Sequence, residues 1–173
     1  MNIKKAFITG ITGQVGSQMA DFLLDNTDLE VIGMMRWQEP IDNLYHLTER
    51  INSKHRLFIQ YADLNDYASL ARAIATEKPD FIFHLAAQPF VLQSYKDPLD
   101  TISSNILGLC NLFEACRGLD NLKAVLNITT DKCYQNQEWL WGYRESDTLG
   151  GYDPYSSSKA CSELISDAYR SSF

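Results

Sequence analysis

The 173-residue sequence predicts an α/β fold, a doubly wound parallel sheet. Three observations carry that expectation. Short, nearly continuous apolar runs alternate with stretches of helical periodicity along the chain, as strands buried on both faces and joined by crossover helices do. A glycine-rich turn, Gly10-Ile11-Thr12-Gly13-Gln14-Val15-Gly16, follows directly on the apolar run Ala6-Phe7-Ile8 and opens a helix. No internal repeat, low-complexity segment or linker interrupts the alternation, so residues 1–173 are expected to form one domain with a core of its own.

Residues 4–9 read as the first strand and 14–24 as the first helix, with Val15, Met19, Phe22 and Leu23 on one face. A second strand covers 30–35, a weaker helical stretch 44–50, and a third strand 56–61. The helix over 67–76 ends before Lys78-Pro79 because the residue preceding proline avoids helical backbone. Residues 80–85 form the fourth strand, 100–117 a long helix closed by Gly118, and 123–129 the fifth strand. The last helix runs from 153 to the end, with Pro154 in its first turn, where the missing N–H has no partner to lose. It carries Leu164, Ile165, Ala168 and Tyr169 on an apolar face and stops at Phe173, as expected of a fragment of a longer enzyme.

Bulk properties narrow the function. A net charge of −7 and the lack of any basic run argue against a nucleic-acid partner. No apolar stretch reaches the length of a membrane span. The N-terminus enters a strand-like run at once, which reads as no signal peptide and a cytoplasmic location. The four cysteines (Cys110, Cys116, Cys133, Cys161) are widely spread and expected to be reduced. They share no ligand spacing with His46, His55 or His84, so no metal site is expected.

Two elements at opposite ends of the chain point to chemistry. The turn Gly10, Thr12, Gly13, Gln14, Val15, Gly16 offers backbone N–H groups and a helix N-terminus to a pyrophosphate. Tyr155 and Lys159 lie four residues apart, on one face of the last helix, where an ammonium could lower a phenol's pKa and make it a base near neutral pH. Together they imply a nicotinamide cofactor, NAD or NADP, and oxidation of a hydroxyl. At the tip of the second strand, Arg36 stands where an acid would meet a ribose hydroxyl, which favours NADP, although a solvated surface Arg would look the same. Asp63-Leu64 is placed for an adenine, with a helix N-cap as the alternative for Asp63. Leu85-Ala86-Ala87 could let a cofactor approach closely, and His84 before it reads as a core histidine. Asn105 either braces Lys159 or lies on an exposed helix face. Thr129, Thr130, Asp131 and Lys132 follow the fifth strand at the sheet's carboxyl edge, where ligands bind. Trp139, Trp141, Tyr143, Arg144 and Glu145 either wall a sugar or base site or pack a long surface loop.

In their order, Gly10–Gly16, Asp63-Leu64, Leu85-Ala86-Ala87, Thr129–Lys132 and Tyr155–Lys159 resemble the extended short-chain dehydrogenase/reductase superfamily, in its nucleotide-sugar epimerase and dehydratase branch. The runs Thr129–Tyr134, Trp139–Glu145 and Gly150–Leu164 are most similar to CDP-glucose 4,6-dehydratases; dTDP-glucose dehydratases carry Asp-Glu where this chain has Asp131-Lys132. Gly10–Gln14 and the Arg36 region resemble GDP-mannose 4,6-dehydratases, which use NADP. The resemblance implies an NAD(P)-binding Rossmann domain lacking a C-terminal substrate part, a nucleotide-sugar substrate with CDP-glucose favoured, deoxysugar biosynthesis, and a homodimer formed through the 100–117 and final helices.

It also implies roles. Tyr155 takes the C4 hydroxyl proton as hydride leaves C4, Lys159 lowers the Tyr155 pKa and holds the nicotinamide ribose, and Thr130 bonds the C4 oxygen. The C4 ketone makes C5 acidic, Asp131 protonates the leaving C6 hydroxyl, and Lys132 acts as C5 base or, as a cation, stabilises the enolate. Hydride returns to C6. An epimerase would share Tyr155 and Lys159 without needing Asp131, and a non-catalytic dinucleotide-binding module would need none of these groups.

Overall fold

The computed structural model describes residues 4–173. In chain order the elements are β1 (Lys5–Thr9), α1 (Gln14–Asn26), β2 (Glu30–Met35), a 3-10 turn (Asp42–Leu47) leading into α2 (Thr48–Ser53), β3 (Leu57–Tyr61), α3 (Tyr67–Glu77) and β4 (Phe81–His84). Then follow α4 (Val91–Lys96), α5 (Pro98–Ile102), a π turn (Ser103–Leu107), α6 (Gly108–Cys116), β5 (Ala124–Asn127), a 3-10 turn (Asp131–Cys133) and α7 (Pro154–Ser172). The five strands lie in the order β3-β2-β1-β4-β5 and every pairing is parallel. The order reverses between β1 and β4, the switch point beside which such sheets bind ligands.

Alternation along the strands sends successive residues to opposite faces and divides the core in two. Ile8, Val31 and Leu57 pack with Leu23 and Leu24 of α1 on one side. Phe7, Ile32 and Ile82 pack with Leu70 and Ile74 of α3 and Leu112 of α6 on the other. β5 is an edge strand, and Leu126 in it is 49% exposed.

Three expectations shift. The helix expected over 100–117 is a single helical path from Pro98 to Cys116 interrupted by a π turn at 103–107, and α4 precedes it unpredicted. Apolar periodicity is blind to both, because α4 is short and its Leu92 and Tyr95 are exposed. The buried stripe of α1 is Gly16, Ser17, Ala20, Leu23 and Leu24, while Val15 and Phe22 face outward. Small residues face the sheet here because α1 runs close to the glycine turn. On α7 the buried side is mostly polar, Ser156, Ser158, Lys159 and Ser162 with Ala160, and Leu164 is exposed.

Candidate active site

The glycine turn is built by contact with the end of β4. Gly10 has φ +72°, in the left-handed region, and a Cβ there would stand 2.9 Å from the Ala86 backbone. A Cβ on Gly16 would stand 2.2 Å from the Gly10 carbonyl oxygen, so α1 rests directly on the turn. The Gly13 N–H donates to the Gly10 carbonyl at 3.1 Å, and the Asn43 amide donates to the Thr12 carbonyl at 2.8 Å. Gln14, Val15 and Gly16 form the first turn of α1, so helix geometry gives their N–H groups no acceptor within the helix.

A cavity of about 500 Å³ opens over this turn at the carboxyl ends of the strands. Gly10, Thr12, Gly13, Arg36, Asp63, Leu64, Leu85, Ala86 and Ala87 come together on its walls, with Met34, Met35, Glu39 and Gln88. Gln14, Val15, Gly16, Asn105 and Thr129 are not on those walls. Arg36 is paired: its guanidinium donates to Glu39 at 3.2 Å. Asp63 accepts the Asn65 N–H at 2.9 Å and so ties its own loop; the cap of α3 is Asp66, which accepts from Ala68 and Ser69.

Thr9, which the sequence reading passed over, holds the wall in place. Its hydroxyl accepts the Leu85 and Ala86 N–H groups, both at 3.1 Å. With its oxygen so occupied, the proton is directed at Nδ1 of His84, 2.8 Å away. Burial pushes the His84 pKa down to about 3, with the Lys159 charge acting in the same direction, so the imidazole is neutral and structural. A hydroxyl ending an otherwise apolar strand was the available signal.

The catalytic candidates lie beyond this cavity's lining, between the end of β5 and the start of α7. Asp153 caps α7 by accepting from the Ser156 N–H at 2.9 Å and its hydroxyl at 2.6 Å. A Cβ on Gly151 would fall 2.3 Å from that of Ser156, so the chain presses onto the helix start here. Tyr155 is half-buried in the first turn, and Lys159 is buried one turn on. Thr130 begins the 3-10 turn, donates to the Asp131 carboxylate at 3.0 Å and accepts the Lys132 N–H at 3.4 Å. Thr129 instead bonds Glu163 of α7, and Lys132 is exposed.

The electrostatics differ from the expected Tyr–Lys coupling. Burial raises the Tyr155 pKa above that of a free phenol; the Thr130 hydroxyl works against this, while Asp153 and Asp131 add to it. Lys159 is not among the groups that shift it. Its Nζ donates to the Ile128 carbonyl at 3.1 Å, since a buried ammonium takes the nearest strong acceptor. Burial lowers the Lys159 pKa, against the pull of Glu163. Asn105 is buried rather than on an exposed face, and its hydrogen bonds go to Gln88 and Ser158 rather than to Lys159. It accepts the Gln88 N–H at 2.8 Å and donates to the Gln88 carbonyl at 3.1 Å and the Ser158 hydroxyl at 2.9 Å. Set in the π turn, it links the cavity wall to the helix of Tyr155 and Lys159. Tyr134 stacks on Tyr143 at 5.3 Å and Trp139 on Trp141 at 5.5 Å, so these aromatics pack the loop against itself.

The family model described as GDP-mannose 4,6 dehydratase matches residues 7–173. The chain belongs to that family. CDP-glucose 4,6-dehydratase of Salmonella typhimurium is 43% identical over 98% of this chain and 46% of its own length. GDP-mannose 4,6-dehydratase of Yersinia enterocolitica is 33% identical over 99% of this chain and 47% of its own. The chain thus spans about half the length of the curated relatives it matches. A dTDP-glucose 4,6-dehydratase from Streptomyces venezuelae, solved with NAD bound, superposes with a TM-score of 0.83 at 27% identity, over 97% of this chain and 52% of that one. This confirms the doubly wound Rossmann architecture expected from the sequence. No helix among the described residues is long and apolar enough to cross a membrane.

Proposed function

We propose that this chain is the cofactor-binding and catalytic half of a cytoplasmic nucleotide-sugar 4,6-dehydratase that converts CDP-glucose to its 4-keto-6-deoxy product. The observation that carries the reading is the acid beside the base: Asp131, bonded to Thr130, lies close enough to Tyr155 to raise its pKa. An epimerase needs no acid there. The 43% identity to a CDP-glucose enzyme supports the substrate. The family model and the Yersinia relative support GDP-mannose as the second reading.

A dinucleotide fits the chain's own residues. Gly10 and Gly13 leave the cavity floor without side chains, and Gly13, at the N-terminus of α1, would lie against a pyrophosphate there. Asp63-Leu64 and Leu85-Ala86-Ala87 would hold the adenine and the rest of the cofactor. When bound, the nicotinamide would accept hydride from C4 and return it to C6. Tyr155 takes the C4 hydroxyl proton, and the Thr130 hydroxyl turns from Asp131 to donate to the C4 oxygen. Because burial holds the phenol's pKa up, Tyr155 would work as a base once Lys159 leaves the Ile128 carbonyl and brings its charge toward the phenol, from where it would also hold the nicotinamide ribose. Asp131 takes up a proton from solvent and passes it to the departing C6 hydroxyl, which leaves as water. The C5 proton passes to solvent water, Lys132, exposed at the loop, stabilises the resulting enolate as a cation, and C5 regains a solvent proton once C6 has been reduced.

The rest of the sugar pocket belongs to the portion of the longer relatives that this chain does not cover. The exposed Leu99, Ile102 and Leu107 along α5–α6, with Leu164 on α7, support pairing with a second copy through those helices. The test is mass spectrometry of CDP-glucose and GDP-mannose incubated with the full-length protein and with Tyr155→Phe. The reading expects loss of one water from CDP-glucose, abolished in Tyr155→Phe while cofactor binding persists. Epimerisation without water loss would reject it.

A further inference from the structure

The chain leaving β2 folds back on its own end. Gln38 takes φ +65°, and the Glu39 N–H donates to the Arg36 carbonyl at 3.3 Å, which returns the Glu39 side chain to the tip of the strand. There its carboxylate accepts the Arg36 backbone N–H at 3.0 Å and the guanidinium at 3.2 Å. The first of these bonds fixes the acid to the main chain wherever the guanidinium goes. The Glu39 side chain is 21% exposed and that of Arg36 63%, so the acid is set into the wall and the cation lies on the surface. Both line the cavity, as does Asp63; this end therefore presents two carboxylates and one guanidinium.

A dinucleotide with a 2′-phosphate would have to draw Arg36 off its partner. An exposed pair of this kind is weak, so that step is easy. The Glu39 carboxylate would nevertheless stay, held by the backbone N–H, and meet the phosphate as a like charge. A 2′-hydroxyl is a donor and would find in Glu39 an acceptor at the end of β2, the role an acid plays in NAD-binding folds of this type. We propose that Glu39 sets the cofactor choice of this chain: its carboxylate reads the adenosine ribose hydroxyls and repels a 2′-phosphate, so that NAD binds ahead of NADP. The inference rests on the proposed dinucleotide site and reverses the preference that Arg36 alone suggests.

Calorimetric titration of NAD and NADP into the wild type, Glu39→Gln and Arg36→Ala tests it without reference to turnover. The wild type binds NAD about tenfold more tightly than NADP, and Glu39→Gln strengthens NADP by a similar factor while weakening NAD. Arg36→Ala keeps the NAD preference and weakens NADP further. NADP bound ahead of NAD by the wild type, an unchanged ratio in Glu39→Gln, or an equal loss of both cofactors in that variant would each overturn the assignment. Binding of neither cofactor by the wild type would reject the dinucleotide site itself, a different failure.

Discussion

Alanine should be costly at two of the three turn glycines, for different reasons, and tolerated at the third. In Gly10→Ala the side chain meets two costs. The left-handed φ of +72° costs an L-residue about 1–2 kcal/mol. The Cβ 2.9 Å from the Ala86 backbone adds the roughly 1–3 kcal/mol typical of overpacking, because main chain at the end of β4 cannot rotate aside. Gly16→Ala escapes the φ cost but meets the harder clash, a Cβ 2.2 Å from the Gly10 main-chain oxygen, offset only in part by alanine's helix preference of about 1 kcal/mol. Gly13 has ordinary extended backbone (φ −74°), and its nearest contact would be 3.3 Å. Gly13→Ala should therefore change stability by no more than about 1 kcal/mol while placing a methyl group on the cavity floor and weakening cofactor binding. Urea unfolding followed by tryptophan fluorescence should place Gly10→Ala and Gly16→Ala both well below wild type and Gly13→Ala near it. In thermal unfolding each kcal/mol corresponds to roughly 2–4 °C. A Gly13→Ala protein as unstable as Gly10→Ala, or Gly10→Ala within about 0.5 kcal/mol of wild type, would refute the reasoning.

Thr9→Val keeps the shape but leaves the Leu85 and Ala86 N–H groups and His84 Nδ1 without their partner. It should cost about 2–4 kcal/mol in urea unfolding and loosen cofactor binding through the 85–87 wall. His84 makes stability pH-dependent: its folded pKa of about 3 lies below the ordinary 6.5, so the unfolded chain binds the extra proton as pH falls. That stability is intact above pH 6.5 and is lost progressively from there toward pH 3, by about 2 kcal/mol at pH 5. Unfolding curves for His84→Asn should show a correspondingly flatter pH slope; identical slopes would mean that His84 titrates normally.

The sheet was legible in the sequence because burial on both faces writes each strand as an apolar run, and β2 was read to the residue. The glycine turn was legible because its spacing and its strand-to-helix context coincide. What escaped was set by tertiary contact. The inward face of α1 is chosen by Gly16 and Ala20 packing close to the turn, not by its largest residues Val15 and Phe22. The burial of Asn105 follows from a π turn that periodicity does not register. The pairing of Arg36 with Glu39 depends on Gln38 turning left-handed, which nothing local in the sequence announces. Tyr155 and Lys159 fall on one helix as their spacing dictates, but which acceptor Lys159 takes is decided by where β5 ends.

The most direct test of the dehydratase reading is the reaction of CDP-glucose with the full-length protein in deuterium oxide, followed by mass spectrometry and proton NMR. The mechanism predicts a product that has lost one water, carries a single solvent deuterium at C5, and has the original C4 hydrogen in its new C6 methyl group. A product of unchanged formula inverted at C4, or a C6 methyl group labelled from solvent, would contradict it.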